Sequence, residues 1–239
     1  MLPTRIGDIA VSATGGKRGL VVAIDGPSGA GKSTVGRALA DALGYTYLDT
    51  GAMYRAMALR AIEQNISLDD EAALAKAASA AAISFDPTGS RVLLDGRDIS
   101  DLIRTREVTM AASAVAKMGP VRRELVRRQQ ELGREGGVVL DGRDIGTVVF
   151  PNADVKFYLD AAAENRAQRR FDEQQAKGQE GSYDAILEEI RARDHQDMNR
   201  HDSPLVQSID AIRVDSTELT RSEVMERLLD IVRERAESR

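Results

Sequence analysis

Apolar residues follow two rhythms along the chain. Short, largely aliphatic runs at Leu20–Ile24, Tyr45–Leu48, Val138–Leu140, Val155–Leu159 and Ala211–Val214 have the length and composition of strands buried on both faces. The longer stretches between them carry apolar residues at helical spacing; from Lys32 to Leu43 these are Val35, Leu39 and Leu43. Strands alternating with helices predict an α/β fold whose core is a five-stranded parallel sheet flanked by helices.

Two regions break this rhythm. Between the second and third runs, Ile83–Phe85, a Pro87-Thr88-Gly89 turn, Arg91–Leu94, Asp95-Gly96 and Asp98-Ile99 read as a small antiparallel insert near Ser67–Arg104. The alanine-rich helix Glu71–Ala82 flanks it. A second excursion, Ala161–Arg200, is rich in Arg, Glu and Gln around Lys177-Gly178-Gln179-Glu180-Gly181 and predicts two helices joined by a loop, the shape of a lid. The expected organisation is an N-terminal extension over residues 1–19, a core over 20–66 and 105–239 with a lid at about 161–200, and the insert over 67–104.

Composition narrows the chemistry. The 239 residues, 42% hydrophobic and 30% charged, suffice for one sizeable domain carrying inserts. A net charge of −5 offers no global field for a nucleic-acid backbone, so an anion site has to be built locally. With no cysteine, disulfides, thiolate metal sites and a cysteine nucleophile are excluded. Asp8, Ser12 and Thr14 interrupt the N-terminal segment, and no apolar run approaches the roughly 18–20 residues that span a bilayer. The expectation is a soluble cytoplasmic protein, monomeric, acting on a small anionic ligand, with no nucleic-acid or membrane partner.

Gly26-Pro27-Ser28-Gly29-Ala30-Gly31-Lys32-Ser33 satisfies G-x-x-x-x-G-K-[ST] between a predicted strand and a predicted helix, the context that this phosphate loop requires. Backbone N–H groups and the helix N-terminus favour a phosphate, Lys32 supplies positive charge near the β and γ phosphates, and Ser33 is placed to ligate Mg²⁺. Thr34 completes the candidate ATP-binding set. Many switches, motors and kinases share such a loop. No Asn-Lys-x-Asp guanine signature occurs, and Val138–Asp141 continues as Gly142-Arg143-Asp144 without a glutamate to activate water.

Asp-Gly-Arg-Asp-Ile occurs at Asp95–Ile99 and again at Asp141–Ile145. The first copy reads as a hairpin turn. The second ends a predicted core strand, where ligands bind in open α/β sheets. After the second strand Thr50 is placed to cap a helix whose first turns carry Tyr54 and Arg55, so Arg55 is a candidate grip for an acceptor phosphate.

Four ordered blocks, Ile24–Lys32, Leu48–Arg55, Asp141–Pro151 and Arg193-Asp194 to Leu205, resemble the bacterial cytidylate kinases, a family of P-loop nucleoside monophosphate kinases. The resemblance runs from about Leu20 to the C-terminus. It implies a P-loop kinase core, a monophosphate-binding insert and a helical lid, transferring the γ-phosphoryl group of ATP to CMP or dCMP with Mg²⁺. It further implies that Thr50 lines the nucleotide site, that Arg143 meets the phosphate and Asp144 the cytosine edge, and that Ser113 and Arg122 also reach the base. Arg193 and Asp197 fall at the ribose or phosphate, and Arg200 at the phosphate. A carboxylate at Asp144 makes chemical sense because it accepts from the cytosine amino group, whereas uracil presents an acceptor there. The expected catalytic set is Lys32, Arg143, Arg193 and Arg200.

In the lid, Arg166, Arg169 and Arg170 share a face by i, i+3 and i+4 spacing, and Arg191, Arg193 and Arg200 stand across the loop. Phosphoryl transfer spreads charge over equatorial oxygens, and arginines stabilise it; which of the first three meets ATP stays open. Asp49 and Asp141 are strand-end carboxylates that suit either a Mg²⁺-bound water or a cap of the following turn. Glu124 and Glu131 interrupt Arg122, Arg123, Arg127 and Arg128, which read, beyond Arg122, as a solvated helix. His195 and His201 have no metal-ligand companions in sequence. Two alternatives stay open: a kinase for another monophosphate or small hydroxyl acceptor, and a P-loop regulatory or nucleic-acid-associated protein.

Overall fold

A computed structural model describes residues 18–86 and 89–238. Residues 1–17 of the expected N-terminal extension, and Pro87 and Thr88 of the expected turn, lie outside the described residues. The main sheet is parallel, in the order β2 (Thr46–Asp49), β6 (Val138–Gly142), β1 (Val21–Asp25), β7 (Val155–Asp160) and β8 (Ile212–Asp215). These are the five predicted strands. Every residue of β1 and β6 is buried, as expected of central parallel strands covered on both faces.

Alternate side chains of β1 enter opposite cores. Val22 and Ile24 pack with Val35 and Leu39 of α1 (Lys32–Leu43) and with Val224 and Leu228 of α8 (Arg221–Glu237). Val21 and Ala23 face the other way, toward α2 (Thr50–Glu63), α3 (Glu71–Ala80), α4 (Arg106–Val115) and α5 (Gly119–Leu132). The alanines of α2, among them Ala52, Ala56 and Ala58, are buried. Small side chains on several faces let neighbouring elements approach it closely.

The insert is a three-stranded antiparallel sheet of β3 (Ile83–Phe85), β4 (Val92–Leu94) and β5 (Arg97–Asp98). Asp95 (φ 52°) and Gly96 (φ 83°) turn β4 into β5, the positive angles that a two-residue hairpin of this hand demands. Phe85, Val92, Leu94, Ile99 and Ile103 join the same core as α2 and α4. The insert is therefore bound to the body through shared apolar packing.

The expected lid segment holds α6 (Ala163–Ala176) and α7 (Tyr183–Asn199), joined across residues 177–182. Its own core is small: Ala167, Ile186 and Ile190, with Phe171, Tyr183 and Leu187 against them. So little buried apolar surface gives the pair low local stability. No helix among the described residues is long and apolar enough to cross a membrane.

Candidate active site

The carboxyl ends of β1, β2 and β6 surround a cleft of about 390 Å³. β1 delivers the chain into the phosphate loop at Gly26 (φ 149°), where an added Cβ would stand 2.0 Å from the Leu159 carbonyl oxygen. Only glycine fits this approach of loop to β7. The loop ends at Gly31, and α1 begins with Lys32. Ser28, Gly29, Gly31, Lys32, Ser33 and Thr34 line the cleft. Lys32 is buried, and its Nζ donates to the Pro27 carbonyl at 2.6 Å. Burial, and then the charge of Arg143, push its ammonium down to about 7 against the opposing pull of Asp141.

β2 and α2 supply the next wall. Asp49, not Thr50, caps α2: its Oδ1 accepts from the Ala52 N–H at 2.9 Å, and its Oδ2 holds Arg55 Nη2 at 2.7 Å. Thr50 is the first helical residue, and its hydroxyl donates to the Asp141 carbonyl at 2.8 Å. The sequence expectation of a Thr50 cap is corrected by one residue, because the Asp49 carboxylate at the strand end already faces the free N–H groups of the first turn. Thr50, Tyr54 and Arg55 all line the cleft.

β6 carries the second Asp-Gly-Arg-Asp-Ile copy to the same edge. Arg143 Nε donates to Asp197 Oδ2 of α7 at 2.8 Å. Asp144 pairs with Arg122 of α5 through a buried bond, and its other oxygen lies 3.8 Å from Arg200. The Arg122 guanidinium stands 5.4 Å from the centre of the Tyr54 ring, within cation–π range. Burial acts to raise the Asp197 carboxyl, but Arg143, Arg193 and Arg200 together outweigh it and hold it below its usual range. The first copy lies elsewhere: Arg97 pairs with Glu63 at 2.8 Å on the surface.

Lys32, Arg55, Arg122, Arg143, Arg193 and Arg200 face Asp49, Asp141, Asp144, Asp197 and Glu173 around this cleft. Several guanidinium nitrogens stay unused. Arg55 Nε, Arg193 Nε and Arg200 Nη2 are buried without a hydrogen-bond partner among the described residues. Burial first, and then Arg143, push the Arg193 guanidinium down to about 10. Unsatisfied buried donors are costly, and together with the crowded cations they define a place for an anion rich in acceptor oxygens. Ser113 lines the same cleft from α4. Ser33, Asp49 and Asp141 bring hydroxyl and carboxylate oxygens there, a hard-donor set that fits Mg²⁺.

The three arginines of α6 separate by partner. Arg166 is buried beneath the phosphate loop, donating to the Ser28 carbonyl at 2.9 Å and pairing with Asp194 at 2.6 Å. Arg169 reaches the Thr217 carbonyl at 3.4 Å, and Arg170 pairs with Glu189 at 3.0 Å. In this arrangement all three side chains are engaged with protein groups. His195 contacts Asn199, and His201 contacts Asp202. Among the described residues no group of three or more His, Asp or Glu is arranged to hold a metal.

Two partners escaped the sequence reading. Asp25, at the end of β1, accepts the Ile145 and Gly146 N–H groups at 2.8 and 2.7 Å, tying the phosphate-loop strand to the loop after β6. Burial raises it to about 6 against the pull of those two N–H groups. An acid beside a phosphate loop opposes the field there, and that conflict is the sequence signal for a structural partner. Asp194 offered no such sign, since its pairing with Arg166 exists only once α6 and α7 are folded together.

A parallel sheet, a phosphate loop ending in a buried lysine, and converging arginines beneath a helical pair define a P-loop phosphotransferase. Sequence comparison narrows the class. A sequence model of the family described as cytidylate kinase matches residues 22–234, and the chain belongs to that family. It is 50% identical over 222 residues to the cytidylate kinase of Geobacter sulfurreducens, covering 92% of this chain and 95% of that one. With the cytidylate kinase of Pasteurella multocida it shares 50% identity over 217 residues, 90% of this chain and 96% of the other. An uncharacterized protein from Eubacterium ventriosum has a similar fold, with a TM-score of 0.50 at 10% identity, 91% of this chain and 99% of that chain being covered.

Proposed function

We propose that this enzyme transfers the γ-phosphoryl group of ATP to CMP and dCMP. The observation that carries the reading is the cleft itself: Lys32 of the phosphate loop shares it with Arg55, Arg143, Arg193, Arg200 and the buried carboxylate of Asp144. Family membership supports a cytidine acceptor.

In this reading the loop from Gly26 to Thr34 holds the ATP phosphates, and Lys32 offsets charge on the group in transfer. Arg55, Arg143 and Arg200 hold the acceptor phosphate. One of its oxygens forms the new bond to the γ phosphorus as the bridging bond to the β phosphate breaks. Arg193 and Asp197 stand at the ribose or phosphate; Asp144, with Arg122 and Ser113, reads the cytosine edge. Ser33 would hold Mg²⁺, with Asp49 and Asp141 near enough to orient its water ligands. A metal held there would supply positive charge that offsets the negative charge of the phosphates. We assign residues 67–104 to monophosphate binding and about 161–200 to a lid that excludes water by closing over the donor.

A coupled ADP-release assay over a panel of nucleoside monophosphates tests this. Strong stimulation by CMP and dCMP is expected. Stimulation by another monophosphate alone, or only by RNA or a protein partner, overturns the reading.

A further inference from the structure

Behind the phosphate loop, outside the set of residues placed on either nucleotide, one aromatic side chain reaches the site. Tyr47 lies within β2, in register with Val139 of β6. Its side chain is on the α1 face and is 1% exposed. The ring runs along the sheet toward the strand ends, and its hydroxyl donates to Asp141 Oδ1 at 2.7 Å. That bond is buried, and burial pushes the phenol far above its usual range.

The ring is fixed from both sides. Gly36 of α1 lies against one edge, where an added Cβ would stand 3.0 Å from the Tyr47 Cε2 atom. A glycine inside a helix costs about 1 kcal/mol relative to alanine, and here the missing side chain makes room for the ring. Arg37 stacks at 4.6 Å from the ring centre and donates to the Gly89 carbonyl at 3.1 Å. Clamped in this way, the hydroxyl has one position. Asp141 gains a fixed orientation in return, beside the like charge of Asp49 and opposite the charges of Lys32 and Arg143.

We propose that Tyr47 is a positioning residue for phosphoryl transfer, acting through Asp141 to hold the Lys32 ammonium in register with the group in transfer. Asp141 and Lys32 line the same cleft, and the carboxylate is the opposite charge that pulls hardest on the buried ammonium. Its carbonyl is held by Thr50 and its carboxylate by Tyr47. Without the phenol, the carboxylate loses its only hydrogen-bonded anchor on that oxygen among the described residues, and the like charge of Asp49 acts to push it from its place in the cleft shared with Lys32. The cations placed on the acceptor keep their own contacts. Tyr47 should therefore act on the rate of transfer and leave binding nearly untouched.

The inference rests on the proposed kinase reading, and wild-type turnover of CMP in the same assay tests that reading separately. Tyr47→Phe deletes the hydroxyl and keeps the ring. Its kcat should fall about ten-fold, with KM for CMP and ATP within about two-fold of wild type. In an Asp141→Asn background the same change should leave kcat within about two-fold of the single Asp141 variant, since residues acting as a unit are non-additive. Should Tyr47→Phe fail to fold, Arg37→Ala frees the ring from outside the cleft, and a kcat loss of about three-fold or more at constant KM is expected. Unchanged kcat in the folded variant, KM changes as large as the kcat loss, or losses that multiply in the double variant would each overturn the proposal.

Discussion

Arg143 and Asp197 meet across the cleft, Nε to Oδ2 at 2.8 Å, and so join the end of β6 to helix α7. The same pentapeptide places Arg97 on the surface, 56% exposed and paired with Glu63. An exposed pair of this kind contributes little to stability. Arg97→Ala should leave turnover near wild type. Arg143→Ala should lower kcat/KM for CMP by about a hundred-fold or more, because it removes charge from the transferring group and leaves Asp197 without its hydrogen-bonded partner. Steady-state kinetics on both variants provide the check, and equal losses would place Arg97 of the insert at the chemistry together with Arg143.

Lys32 is held in the loop by the Pro27 carbonyl and has given up most of its hydration. Burial already disfavours its charge, so its removal takes little from the stability of the fold. Lys32→Ala should lose more than about ten-fold in kcat while keeping a native circular dichroism spectrum and an unfolding midpoint at or above that of wild type. Turnover within about ten-fold of wild type would show that the loop binds without assisting transfer.

The parts of this protein that were legible in sequence are those that depend on local pattern. All five strands of the parallel sheet and helix α1 follow from aliphatic runs and helical spacing, and Asp95-Gly96 declares its hairpin because few residue pairs tolerate both positive angles. The phosphate loop is equally local. What stayed hidden depends on chain segments meeting in space. The Asp25 contact to the Ile145 and Gly146 N–H groups spans about 120 residues, and the Tyr47 bond to Asp141 spans 94. Neither has a spacing to read. The alignment of Arg166, Arg169 and Arg170 was visible as periodicity, but periodicity gives a face and not a partner. Arg166 turned to the phosphate-loop backbone and Asp194, while Arg169 turned to Thr217.

Asp25 makes a pH signature. Its folded-state value of about 6 lies above the ordinary 3.8, so the native state holds its proton more tightly than the unfolded chain. The sign follows: this group's contribution is full below about pH 4 and is lost as pH rises through about 6. Asp25→Asn removes that dependence, at a pH-independent cost for turning one amide hydrogen toward a backbone N–H. The stability of the variant relative to wild type should therefore improve steadily from pH 4 to pH 6 and then level off. Urea midpoints of both proteins across that range measure it; a constant difference would mean that Asp25 is ionised throughout.

Asp144 sets the last test. Its carboxylate is buried between Arg122 and Arg200, so the two cations keep it aimed while its remaining lone pairs are available to an amino group. Asp144→Asn keeps the shape and an acceptor oxygen for Arg122, and it adds a donor that suits uracil O4. Cytosine loses the charge-assisted part of its bond. The ratio of kcat/KM for CMP over UMP should fall by about ten-fold or more, mainly through loss with CMP, since one such contact is worth about 1–3 kcal/mol. Removing one charge of a buried pair also strains the fold, because it leaves Arg122 undercompensated. The unfolding midpoint must be read alongside the kinetics, and the comparison of two substrates on one variant cancels any loss of folded enzyme. An unchanged ratio would move base discrimination from Asp144 to Ser113 and Arg122, and would leave the buried carboxylate as the anchor of Arg122 alone.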